Sequence, residues 1–356
     1  MRTRAILFYS LILLTSSSCS EKYYTEADFN KTKKIDAHIH IRSSSNAVSD
    51  QAKSDFFLLI NVNVASSDSA LHEQEKYTDY QVAAHPEQIY FLEAFSMKNW
   101  DSPDWTGITI RHLKESFAKG ALGIKVWKNI GMVEKDQYGK FIMIDDPRFD
   151  SVIQYVTDQH KTLLGHIGEP LDCWLPIEKM TVNNDREYYK NMPVYYMYLH
   201  PDFPTYQQLI DARDHMLARH PDLRFVGAHL GSLEYDVDSL SKRLDRFHNM
   251  AVDVAERVCH LEYQSKINRE KIRNFMIKYQ DRIIYGSDLG MRPNNNPDQA
   301  RARLHKRWLE EWLYFTTDRM MMSEEVNGEF RGLKLPKEVV DKIYFQNAVK
   351  WYAIKD

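Results

Sequence analysis

The sequence predicts an α/β fold in which eight parallel strands and their helices close into a (β/α)8 TIM barrel. Apolar runs of strand length alternate with helical segments along the chain, which is typical of a parallel sheet covered by helices. The alternation repeats eight times, the number at which such a sheet closes. The chain has 356 residues, enough for a bare barrel of about 250 residues with insertions.

The N-terminus is predicted to be a lipoprotein-type signal peptide, residues 1–19. Arg2 and Arg4 form a basic start, and the apolar run 5–14 is too short to span a bilayer as a mature helix. Small residues then precede Cys19, which would carry the lipid after cleavage. The alternative is a plain secretory signal cut nearby, with Cys19 incidental.

The rest of the chain is predicted to be a tether, residues 20–32, followed by one barrel domain, residues 33–356. The signal implies an exported protein of the cell envelope or periplasm, anchored by lipid to a bacterial membrane. Cys173 is expected in a loop after strand 5 and Cys259 at the end of strand 7, and neither position requires a disulfide.

Composition excludes some classes of protein. The formal net charge is -3 and hydrophobic residues make up 43%, which argues against a disordered chain and against a nucleic-acid partner. Aromatic residues make up 12%. This fits a ring-bearing substrate, but ordinary packing explains it as well.

The strands are predicted from short apolar runs bounded by polar or turn residues. Strand 1 alternates apolar and polar residues, whereas strand 2 is almost continuously apolar, as a buried parallel strand should be. The eight predicted strands are 33–41, 56–64, 89–95, 121–127, 162–166, 224–229, 250–255 and 282–288.

The helices are predicted from their boundary residues. Pro86 and Gly120 stop two of them, and Pro147 and Pro336 stand in the first turns of two others. The predicted helices are 69–85, 108–119, 147–160, 206–220, 237–247, 268–279, 295–316 and 336–352. The helix 295–316 is read as a C-terminal extension.

Two insertions are predicted. Residues 132–144, with Tyr138 and Gly139 at the centre, indicate a small β-hairpin after strand 4. Residues 167–204 form a long, Tyr-rich, irregular segment after strand 5. Loops of this length are usually lids or substrate walls, although packing on the barrel rim is the alternative.

Strand 1 carries a possible metal-binding pair near its end. His38 and His40 are two residues apart, so both side chains should point to the same face. Neutral imidazoles side by side suit a divalent transition metal. On this stretch alone, two solvated strand histidines are the better explanation.

Other strands also end in metal-ligating residue types. Strand 5 ends in His166, strand 6 in His229 and strand 8 in Asp288. The carboxyl ends of barrel strands share one mouth, where the chemistry is placed. Each residue has a packing or capping explanation by itself, but several unpaired histidines in one small space would be costly without a cation.

On these residues the sequence resembles the amidohydrolase superfamily, in the amidohydrolase-2-type branch of metal-dependent hydrolases and decarboxylases related to aminocarboxymuconate semialdehyde decarboxylase. The matching blocks follow the family's order through the mature chain. They are 35–40, 123–127, 165–170, 225–231, 284–288 and 343–348.

The resemblance implies one divalent metal, zinc in the first place and manganese or another metal as the alternative, held by His38, His40, His166 and Asp288. Asp288 would also accept a proton from the attacking water. His229 would be a catalytic imidazole beside the metal, or a ligand if a second metal is present. Such a site, with an open position, is catalytic rather than structural.

Lys125 on strand 4 has two interpretations. In two-metal members of the superfamily, a carboxylated lysine on this strand bridges the metals. A lysine in this block also occurs in the one-metal branch, and there it could bind a substrate carboxylate. The sequence leaves both roles open and favours the second.

The remaining candidates for substrate contact follow strands 4, 5, 7 and 8. Arg257 and Arg292 could pair bidentately with a carboxylate, and a structural ion pair is the alternative for each. The full set of substrate-binding candidates is Lys125, Trp127, Glu169, Trp174, Arg257 and Arg292.

The sequence therefore predicts a metal-dependent hydrolase that cleaves a C–O or C–N bond of a small molecule, such as a lactone, ester or amide. A metal-dependent decarboxylase is the alternative, and His38 favours hydrolysis because many decarboxylases of this branch carry Glu there. A non-catalytic metal- or ligand-binding lipoprotein is a third hypothesis. No nucleic-acid partner is expected, membrane contact is expected only through the lipid, and homo-oligomerisation is left open.

Overall fold

The computed structural model describes residues 22–355; the predicted signal peptide and Cys19 lie outside them. The parallel strands are β1 (Lys34–Ile41), β2 (Phe57–Val62), β3 (Ile89–Ala94), β4 (Gly123–Val126), β5 (Thr162–Gly165), β6 (Arg224–Gly227), β7 (Met250–Asp253) and β8 (Ile283–Ile284). They form one sheet in chain order, and a short strand, Gly290–Met291, follows β1 at its edge.

The sheet closes on itself. The backbone N–H of Ala37 in β1 donates to Tyr285 O at 3.0 Å, and the N–H of Asp288 donates to His38 O at 2.8 Å. These bonds join the first strand to the segment that follows β8. The predicted TIM-barrel-like α/β fold is therefore confirmed.

Helices surround the barrel. They are Ala47–Ser54, Asp68–Ala84, Trp105–Ala118, Asp150–Asp158, Asn183–Asn191, Tyr206–Arg219, Val237–Arg246, Val258–Lys278, Pro297–Thr316, Lys337–Asp341 and Asn347–Tyr352, with a π-helical turn, Lys342–Gln346, between the last two. Each predicted helix is present, with ends shifted by a few residues or, for Val258–Lys278, by ten at its start. No helix among residues 22–355 is both long and apolar enough to cross a membrane.

Two apolar cores hold the strands in place. The inner core fills the barrel with side chains such as Ile35, Leu164 and Ile284, and the closing helix covers it with Trp351 and Tyr352. Thr162, the first residue of β5, donates from its hydroxyl to the carbonyl of Trp351, so this plug lies at the amino-terminal end. The outer core packs the sheet against the surrounding helices. Polar groups lie at the opposite end of the barrel, where the carboxyl ends of the strands meet.

The insertions differ in part from the prediction. Where a hairpin was expected over 132–144, there is one antiparallel bridge between Lys135 and Phe141 around a turn at Gly139. The segment 167–204 is not irregular throughout, because it contains the helix Asn183–Asn191. That helix is very polar and lacks the apolar periodicity by which a helix is recognised in sequence.

Two further predictions need correction. Strand 8 was expected over 282–288, but β8 is only Ile283–Ile284 because the following residues leave the ladder to pass beside β1. Cys259 was expected at the end of strand 7, yet β7 stops at Asp253 and Cys259 lies in the helix Val258–Lys278. Cys173 and Cys259 are both free and buried.

The described part of the predicted tether packs against the barrel. A 3-10 turn, Glu26–Asp28, leads to Phe29, which is buried in the outer core. The hydroxyl of Tyr24 donates to Asp341 at 2.7 Å. Residues 22–32 are thus held by specific contacts with the domain.

Candidate metal centre and substrate cleft

A β-bulge aims the histidines of β1. The pairing of β1 with β2 shifts register between Asp36 and Ile39. Before the shift, Ile35 belongs to the inner core, whereas after it Ile39 belongs to the outer core. A bulge of this kind re-aims the side chains that follow it, and here it brings His38 and His40 to the mouth while Asp36 faces the surrounding helices.

The carboxylate of Asp36 locks this arrangement. It accepts hydrogen bonds from the backbone N–H of His38 at 3.2 Å, from Ser287 N at 3.0 Å and Oγ at 2.5 Å, and from Trp308 Nε1 at 2.9 Å. Burial raises the pKa of Asp36, and these donors act in the opposite direction. One buried carboxyl group thereby ties the first strand to the turn that carries Asp288.

Three imidazoles have Nδ1 committed to protein acceptors. Nδ1 of His38 lies 2.8 Å from Asp253 Oδ2, Nδ1 of His40 lies 2.7 Å from Val62 O, and Nδ1 of His229 lies 2.8 Å from Ala255 O. Each acceptor assigns the proton to Nδ1 and leaves the Nε2 lone pair for the cleft. This is the orientation in which histidines bind metals.

Asp288 meets two of these nitrogens. Its Oδ1 lies 3.0 Å from His40 Nε2 and 3.5 Å from His38 Nε2. Burial would raise the pKa of Asp288, but His38, His229 and the hydrogen bond with His40 outweigh it and hold the pKa well below its usual range. Burial also lowers the pKa of His40. An ionised Asp288 therefore faces His40, whose neutral form is favoured by burial.

This donor set fits a divalent cation. The ligating atoms of His38, His40 and Asp288 all lie within 4.8 Å of one another, as do those of His38, His229 and Asp253. Two imidazole nitrogens and a carboxylate oxygen suit zinc and its neighbours. The structure thus brings together three of the residues predicted as ligands, His38, His40 and Asp288.

Lys125 points into the same space. Its Nζ lies 3.1 Å from His38 Nε2, so the ammonium group and a bound cation compete for one lone pair. Burial lowers the pKa of Lys125 to about 8. The side chain can therefore release its proton near neutral pH, as carboxylation requires, whereas binding a substrate carboxylate requires the protonated ammonium.

His166 is close to the cluster but turned differently. Its ring centroid is 4.2 Å from that of His229, while its Nε2 lies 3.3 Å from Glu169 Oε2. Burial and the cations of Lys125 and Lys128 hold the pKa of His166 well below its usual value. In this arrangement Nε2 of His166 faces Glu169, which is itself paired with Lys128. To bind a metal through Nε2, His166 would have to give up this contact.

The backbone is strained where the site residues leave their strands. His229, Glu256 and Asp288 all have positive φ, of 60°, 54° and 59°. A non-glycine residue in this region costs roughly 1–3 kcal/mol and persists only where the surroundings enforce it. The barrel mouth is thus held in a conformation that the local sequence would not choose.

The candidate metal ligands His38, His40 and Asp288 line a cleft of about 740 Å³. The helix Asn183–Asn191 roofs this cleft, since the hydroxyl of Tyr188 accepts from Lys128 Nζ at 2.9 Å and Asn184 donates to Glu256 at 2.8 Å. Tyr189 and Tyr195 complete an aromatic wall with Trp127. The Tyr-rich segment after β5 therefore forms part of the cleft as well as packing on the rim.

Most of the predicted substrate contacts line this cleft. They are Lys125, Trp127, Glu169, Arg257 and Arg292. Trp174 is not among the lining residues; its ring packs against Tyr206 with centroids 5.5 Å apart. Arg257 is buried and its guanidinium is surrounded by Asp185, Tyr189, Glu234 and Glu169, which raise its pKa.

Sequence reasoning missed several functional residues. Asp253 ends β7 and holds both His38 and the backbone N–H of His229, the latter at 2.7 Å. A carboxylate at the end of a predicted strand was the available signal, and it was overlooked. Arg42, which directly follows strand 1, lines the cleft, and its position two residues after His40 was the available signal.

Comparisons with known proteins identify a family model and solved structures of similar fold. The family model described as amidohydrolase matches residues 190–354. The structure of 2,6-dihydroxybenzoate decarboxylase from Rhizobium aligns with a TM-score of 0.54 at 14% identity, covering 90% of this chain and 99% of that one. The structure of 2,6-dihydroxybenzoate decarboxylase in complex with 2,6-dihydroxybenzoate gives 0.52 at 13%, with coverages of 91% and 100%. A search of curated proteins finds no match.

A barrel with a His/Asp cluster at its mouth is an arrangement that suits a catalytic metal ion. Within residues 190–354, the chain is similar to the amidohydrolase family.

Proposed function

We propose that this protein is a metal-dependent hydrolase that cleaves a C–O or C–N bond of a small molecule with an activated water. The observation that carries the proposal is the convergence of His38 Nε2, His40 Nε2 and Asp288 Oδ1, with both imidazole Nδ1 atoms committed to other acceptors. Such a preset site, open to a cleft of about 740 Å³, is suited to catalysis rather than to structural metal binding.

A divalent cation in this site would polarise the substrate carbonyl and lower the pKa of an attacking water to about 7. His229 presents an Nε2 lone pair, so it orients the water as a hydrogen-bond acceptor; stabilising an oxyanion would require a second proton on this ring. Asp288 remains ionised because its pKa is depressed, and it can take the proton from the water and return it to the leaving group.

Decarboxylation is the second candidate. It is supported by the similar fold of the two 2,6-dihydroxybenzoate decarboxylase structures, and by the aromatic wall of the cleft. In that reaction the substrate itself would be chelated, and no water would attack. His38 at the first position of the histidine pair favours hydrolysis.

The decisive experiment combines metal analysis with two assays. We expect one divalent ion per purified chain, zinc in the first place, and loss of turnover after chelation and in Asp288→Ala and His166→Ala with the fold retained by circular dichroism. Lactones, esters and amides are assayed for hydrolysis, and aromatic and enoic acids for release of carbon dioxide. A wild-type protein without bound metal, or an active Asp288→Ala variant, would reject the proposal.

We also propose that the mature protein is exported and lipid-anchored through Cys19. The support is the pattern of basic, apolar and small residues in the first 19 positions. Mass spectrometry of the N-terminal peptide should show a lipidated Cys19, and Cys19→Ser should release the protein from membranes. An unmodified cysteine would favour the plain secretory signal.

A further inference from the structure

Arg42 and Arg292 both line the rim of the cleft. Both line a cavity of about 430 Å³ that also contains His40 and Asp288 and continues into the main cleft. Among residues 22–355, no carboxylate lies within ion-pairing distance of either guanidinium. The Nε of Arg42 is buried and has no hydrogen-bond partner within the described part of the chain.

The fold explains why the two arginines meet. Arg42 follows His40 by two residues and Arg292 follows Asp288 by four. The backbone N–H of Arg42 donates to Met291 O at 2.8 Å, so the two chain segments run side by side away from the metal cluster. Each segment that supplies a metal ligand therefore also supplies a guanidinium, a short distance further out.

The positive charges of the two guanidinium groups favour a bound anion at this place. Both guanidinium groups line the same cavity, and the buried Nε of Arg42 has no hydrogen-bond partner among residues 22–355. Arg257 is different, because acidic groups and a tyrosine already surround it. Two like charges without a compensating carboxylate repel each other, and an oxyanion between them relieves both the repulsion and the unsatisfied Nε.

We propose that Arg42 and Arg292 form an oxyanion subsite that binds an acidic group of the substrate beside the reacting bond. The inference rests on the proposed function where it refers to the reacting bond. The binding of an anion by the two arginines does not depend on that function. Two residues of extended chain separate Arg42 from His40, a rise of roughly 7 Å. The substrate is then a small molecule with a carboxylate or phosphate group about that far from the bond that is cleaved.

The test measures binding to metal-depleted protein, where only the protein can hold an anion. Benzene-1,3-dicarboxylate and phenyl phosphate distinguish the two oxyanions, and benzyl alcohol is the neutral control. We expect saturable binding of at least one anion to the wild type. The Kd should increase about tenfold in Arg42→Gln and in Arg292→Gln, and should not change in Arg301→Gln, an exposed arginine outside the cavity.

Two outcomes overturn the subsite: neither anion binds the wild type, or both cleft variants bind as tightly as the wild type. If Arg42→Gln does not fold, Arg292→Gln decides alone. Metal content, measured on the same preparations before depletion, keeps the proposals apart. A protein that binds the anion but no metal retains the subsite and loses the proposed function.

Discussion

Asp253 Oδ2 lies 2.8 Å from Nδ1 of His38, and both side chains are completely buried. Burial would raise the pKa of Asp253, but His38 outweighs it and the pKa is lowered. An ionised carboxylate behind a metal-facing imidazole fixes the tautomer and strengthens the ligand. The relationship makes Asp253 a positioning residue for the proposed metal site, although it does not face the substrate.

The first prediction follows from this pair. Asp253→Asn keeps the shape of the side chain but removes the charge behind His38, so metal affinity should fall by about 10- to 100-fold. A competition titration against a zinc indicator measures the change. Asp50→Asn, on the exposed face of the helix Ala47–Ser54, is the control and should bind metal normally. Equal affinity in the Asp253 variant would mean that the carboxylate serves only packing.

The second prediction concerns Lys125. Its ammonium lies at the lone pair of His38, and two unit charges 4 Å apart repel by about 4 kcal/mol at an effective dielectric constant of 20. Lys125→Met should therefore bind the metal about tenfold more tightly or better, at one ion per chain. Lys114→Met, an exposed substitution, is the control. A weaker site in Lys125→Met would instead indicate that a carboxylated lysine is a ligand.

The third prediction concerns the buried pair of Lys128 and Glu169. Glu169→Gln leaves the ammonium of Lys128 without its counter-charge in a buried position, and the free energy of unfolding should decrease by about 3 kcal/mol or more. Guanidinium denaturation measures the loss. The double variant Lys128→Met/Glu169→Met should recover much of it, because no isolated charge remains. If the single variant is as stable as the wild type, water or another group solvates Lys128.

The fourth prediction is a pH dependence of stability. Burial raises the pKa of Glu262 to about 8, with Glu325 adding to the effect. Between pH 4.5 and 8, the folded state thus binds one proton more than the unfolded state, so stability falls as pH rises through this window. Glu262→Gln mimics the protonated form and should lose less stability between pH 5.5 and 8.5.

The expected difference is on the order of 1 kcal/mol or more, because one unit of pKa shift corresponds to about 1.4 kcal/mol. Chemical denaturation at three pH values measures it. Glu270→Gln, an exposed residue of the same helix, is the control and should follow the wild type. Parallel pH profiles for all three proteins would contradict a raised pKa at Glu262.

Much of the fold could be predicted because the signal was local. Apolar runs, stop residues and their order were sufficient for the eight strands and the barrel. The polar helix Asn183–Asn191 escaped, since its stability comes from tertiary contacts such as the bond from Asn184 to Glu256 and not from an apolar stripe. The short β8 escaped because its last residues follow β1 instead of a regular ladder.

The candidate site was predictable in its residue types but not in its directions. His38, His40, His229 and Asp288 stand at strand ends in sequence, and the closed barrel brings them together. Which nitrogen faces the cleft depends on acceptors from other strands, such as Val62 O for His40. The orientation of His166 toward Glu169 and the outward turn of Asp36 at the bulge depend on packing that no local pattern encodes.

The hydrogen bonds accepted by Asp36 have a consequence for the order in which a newly synthesised chain folds. They join β1 to Ser287 and Trp308, so a nascent chain exposes its histidine pair long before the aspartate that completes the pocket has been synthesised. The proposed site of His38, His40 and Asp288 is then among the last parts of the molecule to form, because it requires the first strand to meet the segment after β8. A product truncated before Asp288 would keep both histidines but lack the carboxylate of this site.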